Sequence, residues 1–160
     1  MLPFSMKDQQ RGFTLIELMF TIVVMAVLLS IGVPSFRDFI RSSRMAEGTN
    51  ALVGDLNFAR SEAIKRNQNT TVVPLGGSWA NGWEVRDAGG QALRARQALG
   101  ASLAVNSATA GVTFRPNGRL TDNLTETQLT WSISSSVEGV TPRCVVVSTT
   151  GAARSRTGAC

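Results

Sequence analysis

Gly12-Phe13-Thr14-Leu15-Ile16-Glu17, with the apolar run Leu18-Met-Phe-Thr-Ile-Val-Val-Met-Ala-Val-Leu-Leu-Ser-Ile-Gly-Val33 behind it, is the stretch whose reading decides the fold. Between Phe13 and Phe36 the only ionisable side chain is Glu17, and there is no Lys or Arg. At helical rise a segment of this length crosses roughly 30 Å of hydrocarbon. The residues before it are polar and carry Lys7 and Arg11. A single carboxylate near the start of a membrane helix is expensive unless a partner meets it.

Three readings compete for the segment. A buried helix of a soluble protein requires uninterrupted apolarity on every face to be covered by a short chain. A secretory signal peptide cut near Gly32 leaves an acid inside the apolar region and lacks a good small-x-small site. The third reading cuts on the polar side, between Gly12 and Phe13, and keeps the apolar helix on the mature protein.

With Pro34 further along, Gly12-Phe13-Thr14-Leu15-Ile16-Glu17 resembles the class III signal of type IV prepilins and type II secretion pseudopilins. The basic leader, the glycine, the phenylalanine and the acid all fall in register. The resemblance implies that a prepilin peptidase removes residues 1–12 at the cytoplasmic face and methylates the new amino terminus. Gly12 is then the last leader residue, Phe13 the N-methylated first residue, and Glu17 the acid that meets a neighbouring subunit's amino terminus. An ammonium and a carboxylate brought together in a low-dielectric bundle offset each other's desolvation, whereas either alone is penalised. Met6 as the start would shorten the leader and leave the cleavage site unchanged.

Leader and membrane helix leave about 120 of the 160 residues for one globular domain. The absence of His removes the commonest general base and metal ligand, and two Cys do not make a zinc site by themselves. No nucleophile elbow, Walker loop or metal-spaced cluster is present, so the expectation is a non-enzyme with no cofactor and no metal. Glu62, Asp87 and Asp122 read as solvated or capping residues. A net charge of +5 fits an acidic partner such as nucleic acid or anionic lipid, and fits a solvated basic surface equally well.

Beyond Pro34, Arg37, Arg41 and Arg44 form one basic helical face, suited to headgroups, to acids of filament neighbours or to solvent. From Gly48 to Asn67 the pattern is amphipathic. Leu52, Leu56, Ala59 and Ala63 lie on one face with Val53 and Ile64 beside it, while Asp55, Arg60, Glu62 and Lys65 fall outside. After Asn67-Gln-Asn69 the chain reads as short strands: Thr71 to Leu75, Trp83 to Arg86, Gln91 to Gln97, Ser102 to Val105 and Val112 to Arg115. Asn81-Gly82, Ala88-Gly-Gly90 and Pro116-Asn117-Gly118 are turns. Leu129, Trp131 and Ile133 alternate with polar residues, giving one buried face, and Cys144 to Thr149 is expected to be the last strand.

Asp55-Leu-Asn-Phe-Ala-Arg-Ser-Glu-Ala-Ile-Lys65, Asn81-Gly-Trp-Glu-Val85 and Phe114-Arg-Pro-Asn-Gly-Arg119 resemble the GspH/FimT-type branch of minor pilins and pseudopilins. The fold implied is α+β and type IV pilin-like: a long N-terminal transmembrane α-helix packed on small antiparallel sheets. The divisions expected are a leader (1–12), a transmembrane and filament-core helix (13–36), the packing half of that helix (37–67) and a β-rich head (68–160). A head facing an oxidising periplasm favours a Cys144–Cys160 disulfide, with two free or intermolecular thiols as the alternative. Such a bridge closes a loop of roughly 15 residues, which contributes on the order of 3 kcal/mol in the chain-entropy model.

That loop carries Arg154 and Arg156, and Arg143 lies at its base, with no acid from Arg143 onward. Two residues apart in an extended stretch, Arg154 and Arg156 project to one side, and guanidinium forks suit phosphates. No aromatic is interleaved for base stacking. FimT-like minor pilins of naturally transformable bacteria bind DNA through a Gly-Arg-x-Arg element in the carboxy-terminal loop. Here Arg154-Ser155-Arg156 matches the Arg-x-Arg part, with Ala153 at the glycine position. FimU-like relatives, which prime pilus assembly, share most other features.

The resemblance therefore implies a minor type IV pilin acting in assembly near the pilus tip, with DNA capture for uptake through Arg154, Arg156 and Arg143. The alternatives are a GspH-like pseudopilin of a type II secretion system and a FimU-like adaptor without DNA binding. Partners are the prepilin peptidase, other major and minor pilins, the inner membrane and DNA. The implied location is a single-pass inner-membrane protein with a periplasmic head, then the surface pilus.

Overall fold

The computed structural model describes residues 13–100, 103–121, 128–136 and 139–160. The leader with Gly12, Lys7 and Arg11 lies outside the described residues, as does Asp122. Helix α1 spans Leu15–Arg66, and the chain divides into two compact units, up to Arg37 and from Asp38 onward.

In the first unit the side chains of α1 are exposed on all sides, Phe20, Met25, Leu28 and Ile31 among them. The segment is long and apolar enough to cross a membrane. Two of its hydroxyls are satisfied within the helix: Thr21 Oγ1 donates to the Leu18 carbonyl at 2.8 Å and Ser30 Oγ to that of Val27 at 2.7 Å. That back-bonding suits an environment that offers no water.

In the second unit α1 buries Met45, Gly48, Thr49, Leu52, Asp55, Leu56, Ala59, Glu62 and Ala63, the three-and-four spacing of one helical face. Leu52, Leu56, Ala59 and Ala63 are the members expected from the sequence, and Met45 extends the face toward the amino terminus beyond the expected stretch. Asp55 and Glu62 are corrections, since both are buried rather than outside the packed face. The helix ends in a Schellman motif. Asn67 adopts φ 52°, its N–H donates to Ile64 O, and the Gln68 N–H donates to Ala63 O.

Among the described residues eight strands follow in two antiparallel sheets. Sheet A has the order β3 (Ala92–Gln97), β2 (Gly82–Arg86), β1 (Thr70–Pro74), β5 (Val112–Phe114). Sheet B has the order β4 (Leu103–Asn106), β6 (Gln128–Ser135), β7 (Arg143–Ser148), β8 (Ala153–Thr157). One core joins both sheets to the helix. Val72, Trp83, Val85 and Phe114 come from sheet A, Trp131, Ile133, Val145 and Val147 from sheet B, and Leu52, Leu56 and Ala59 from α1. Each large apolar side chain so buried contributes about 1.5–3 kcal/mol. Trp79 meets Trp131 edge-on with ring centroids 5.4 Å apart.

Three turns share one construction. Asp87, Arg115 and Ser148 each accept a hydrogen bond from a glycine three residues on and donate to the carbonyl four residues on. The glycines, Gly90, Gly118 and Gly151, have φ of 82°, 75° and 81°. This is the three-residue hairpin loop with glycine in the left-handed position. The first two were legible as turns. The third, Thr149-Thr150-Gly151, turns the chain into β8, so β7 is not the last strand and the carboxy-terminal segment is not simply a loop.

At Gly151 a side chain meets two obstacles. The backbone is left-handed, and a Cβ would sit 2.0 Å from the Gly118 carbonyl oxygen. Gly151→Ala is expected to lower stability by at least ~2 kcal/mol, read from urea unfolding followed by tryptophan fluorescence.

Candidate functional site

Thr14 and Glu17 form a reciprocal cap at the start of α1. The Thr14 carbonyl accepts the first helical hydrogen bond, from Leu18 N–H at 3.1 Å. The Glu17 N–H donates to Thr14 Oγ1 at 3.3 Å, and the Thr14 N–H donates to Glu17 Oε2 at 3.4 Å. This is a capping box, written in the sequence as Thr-x-x-Glu. It folds the only acid of the apolar segment back onto Thr14, next to Phe13, which is itself exposed. The helix N-terminus also favours negative charge there. The sequence assigned Glu17 to a neighbouring subunit; its local role was legible in the spacing and was missed.

The second candidate lies on sheet B. Cys144 and Cys160 form a disulfide with their Cα atoms 5.1 Å apart. Cys144 is buried on β7, and the bridge closes a loop that contains β8. In the β7–β8 register Val146 faces Arg154 and Cys144 faces Arg156. The two arginines therefore share the outer face of the sheet, opposite the core residues Val145 and Val147. Both are exposed, and neither makes an ion pair among the described residues. Arg154 borders a shallow depression of about 250 Å³ with Gln128, Val146, Ser148, Thr150 and Ala152.

Arg143 is not brought together with them. It pairs with Thr157 and Ile133, which places it on the opposite face of the sheet from Arg154 and Arg156. There it borders a depression with Asp38, Ser42, Met45 and Val140. Ala153, at the glycine position of the Arg-x-Arg pattern, lies in a paired strand and packs against the core. An extended backbone places no demand for glycine at that position.

Sequence reasoning also missed the polar centre of the head. The Asp55 carboxylate, 1% exposed, accepts from Trp83 Nε1 at 2.9 Å, Arg94 Nη1 at 3.0 Å and Arg96 Nε at 2.9 Å. Burial works to raise its pKa, but the hydrogen bonds from Arg96, Arg94 and Trp83 outweigh it and hold the carboxyl below its ordinary value. Arg94 also lies 3.8 Å over the Phe58 ring. Glu62 is paired with Arg66 at 2.6 Å and with Lys65 at 3.7 Å. Hydrogen bonding to Arg66 lowers its pKa against a smaller opposing effect of burial. Asp87 caps the β2–β3 turn, accepting from the Gly89 and Gln91 N–H groups. Among the described residues no cluster of three metal-ligating side chains occurs.

Known proteins place these features in a family. The family described as type II transport protein GspH matches residues 48–151, and the prokaryotic N-terminal methylation motif matches residues 7–33. The minor pilin FimU of Pseudomonas aeruginosa superposes with a TM-score of 0.57 at 24% identity, covering 76% of this chain and 91% of that one. The minor pseudopilin EpsH of the Vibrio cholerae type 2 secretion system superposes with a TM-score of 0.53 at 15% identity, covering 71% and 97%. The fimbrial protein EcpC of Eikenella corrodens is 42% identical over 57 residues, which is 36% of this chain and 37% of that protein. The type IV major fimbrial protein FimA of Dichelobacter nodosus is 41% identical over 49 residues, 31% of each chain. The chain thus spans about a third of the length of these curated relatives. Family match, amino-terminal motif and fold agree: the chain belongs to the GspH family and shares the fold of the minor pilin FimU and the minor pseudopilin EpsH.

Proposed function

We propose that the chain is a non-enzymatic minor pilin of a type IV pilus, matured by cleavage between Gly12 and Phe13 and N-methylated at Phe13. It waits in the inner membrane with its head in the periplasm, then enters a filament with other major and minor pilins near the tip. The observation that carries this reading is Glu17, the one ionisable side chain in the apolar segment from Phe13 to Phe36. Its capping geometry at Thr14 supports the same role, because a carboxylate held at the chain end is placed to meet a neighbour's terminal ammonium. A type II secretion pseudopilin uses the same helix chemistry and is the second reading, favoured by the family match over residues 48–151.

The head of this pilin is further proposed to bind DNA through Arg154 and Arg156, without participation of Arg143. Support comes from two exposed guanidinium groups on one sheet face, free of ion pairs among the described residues. The detergent-solubilised full chain should retard duplex DNA at low salt, and Arg154→Ala/Arg156→Ala should abolish the shift. With two phosphate contacts the log–log salt slope should be about −2. Equal retardation by the double variant would overturn the assignment.

A further inference from the structure

The basic residues beside the membrane span lie on the side where they are least expected. Cytoplasmic ends of membrane helices collect Lys and Arg, and translocated ends are poor in them. On the maturation reading above, cleavage after Gly12 removes Lys7 and Arg11, the basic residues that precede the span. Only the α-amine of Phe13 then remains on that side. Beyond the span, Arg37, Arg41 and Arg44 follow Phe36 within eight residues, against a single acid, Asp38. Three charges held against that bias call for an anion that compensates them.

The chain itself supplies little of that compensation. Arg41 pairs with Asp38 at 3.1 Å, and the Asp38 side chain stays 66% exposed. Arg37 and Arg44 are exposed. Neither makes an ion pair among the described residues, although Glu47 stands one helical turn beyond Arg44. Phe39, on the same stretch, is 64% exposed. A bare aromatic ring among arginines is poorly placed in water, and is the mixture that suits a membrane interface. Depth agrees. The interfacial layer is about 5–7 Å thick on each side of the hydrocarbon, and each helical residue rises about 1.5 Å. Arg37 starts within that layer, Arg41 at its edge and Arg44 beyond it. Side chains on a helix lean toward its amino terminus, so the long arginine stems carry their guanidinium groups back to the headgroups.

We infer that Arg37, Arg41 and Arg44 bind the phosphodiester headgroups of anionic lipids in the leaflet on the head's side of the membrane. A guanidinium fork takes two phosphate oxygens at once. Phosphatidylglycerol offers them without a cation of its own, whereas phosphatidylcholine brings a trimethylammonium that competes. Phe39 is covered in the same layer. The contact belongs to the subunit before assembly, since leaving the bilayer for a filament breaks it. The inference rests on the membrane-spanning reading above and adds a lipid class to it.

The test is electron spin resonance of spin-labelled lipids around the full chain reconstituted in phosphatidylcholine liposomes. The immobilised fraction of labelled phosphatidylglycerol against labelled phosphatidylcholine gives the preference. The native chain should prefer phosphatidylglycerol by about threefold or more. Arg37→Gln/Arg41→Gln/Arg44→Gln, which keeps the helix propensity of the three positions, should bring the ratio within about 1.5-fold of unity. Arg119→Gln/Arg154→Gln/Arg156→Gln removes three exposed arginines elsewhere in the head and should keep the native ratio. Inorganic phosphate should lower the preference no further than sodium chloride of equal ionic strength. A larger effect of phosphate would mean that the arginines take a free anion, and overturns the lipid assignment. A native ratio in the first variant, or an equal fall in the control, overturns it as well. Should the first variant keep its lipid preference and yet be excluded from filaments, the arginines serve a neighbour's acids instead. A native chain without preference overturns the inference and leaves the spanning reading intact, whereas a chain that alkaline carbonate strips from the liposomes removes both.

Discussion

Asp55→Ala should lower the stability of the head by about 3–5 kcal/mol, because it leaves a buried indole N–H and two guanidinium groups without their shared acceptor. The carboxylate ties α1 to β2 and β3 at the point where helix and sheet A meet. Asp55→Asn keeps an acceptor but loses the charge, so its loss should be smaller. All three tryptophans, Trp79, Trp83 and Trp131, lie in the head and are buried there, so intrinsic fluorescence in urea reports this unit directly. The pH dependence has a definite sign. The folded pKa of Asp55 lies below its ordinary value, so the stabilisation is fully present above about pH 4 and fades as pH falls through the folded pKa. The gap between native protein and Asp55→Asn should therefore be constant near neutrality and narrow in acid. A gap that widened in acid would mean that the carboxylate is not the charged member of this cluster.

The second large effect concerns filament entry. Glu17→Ala should reduce incorporation into filaments at least tenfold, measured as protein in sheared filaments against protein in the membrane. Two causes are mixed in that variant, since it removes both the helix cap and the charge. Glu17→Gln separates them. Glutamine serves in a capping box as glutamate does, so the start of α1 is preserved. It carries no charge to meet an ammonium in a low-dielectric bundle. Glu17→Gln should therefore fail nearly as badly as Glu17→Ala. Normal incorporation of Glu17→Gln would reduce the role of Glu17 to capping.

The sequence was most legible where one local pattern decided the outcome. Apolarity from Phe13 to Phe36 marked the exposed half of α1, and the three-and-four spacing of Leu52, Leu56, Ala59 and Ala63 marked the packed half. Alternation at Leu129, Trp131 and Ile133 gave the buried face of β6. What escaped depended on distant pairing. Asp55 lies among apolar helix residues, and its partners Trp83, Arg94 and Arg96 are 28, 39 and 41 residues away. Strand β8 shows no apolar alternation because it is an edge strand with its last four residues exposed. The turn at Thr149-Thr150-Gly151 was its only local signal. Arg143 was grouped with Arg154 and Arg156 by proximity in sequence. The antiparallel register, which no single strand reveals, places it on the other face.

The maturation reading is tested most directly by the amino-terminal peptide of the protein recovered from the envelope of a cell that carries the prepilin peptidase. Mass spectrometry should find a chain that begins at Phe13 and bears one methyl group on its α-amine, with Glu17 retained in the helix behind it. A chain that begins at Met1 or Met6 would leave Glu17 without the amino terminus it is placed to meet, and one that begins beyond Gly32 would have lost Glu17 itself; either would contradict the account.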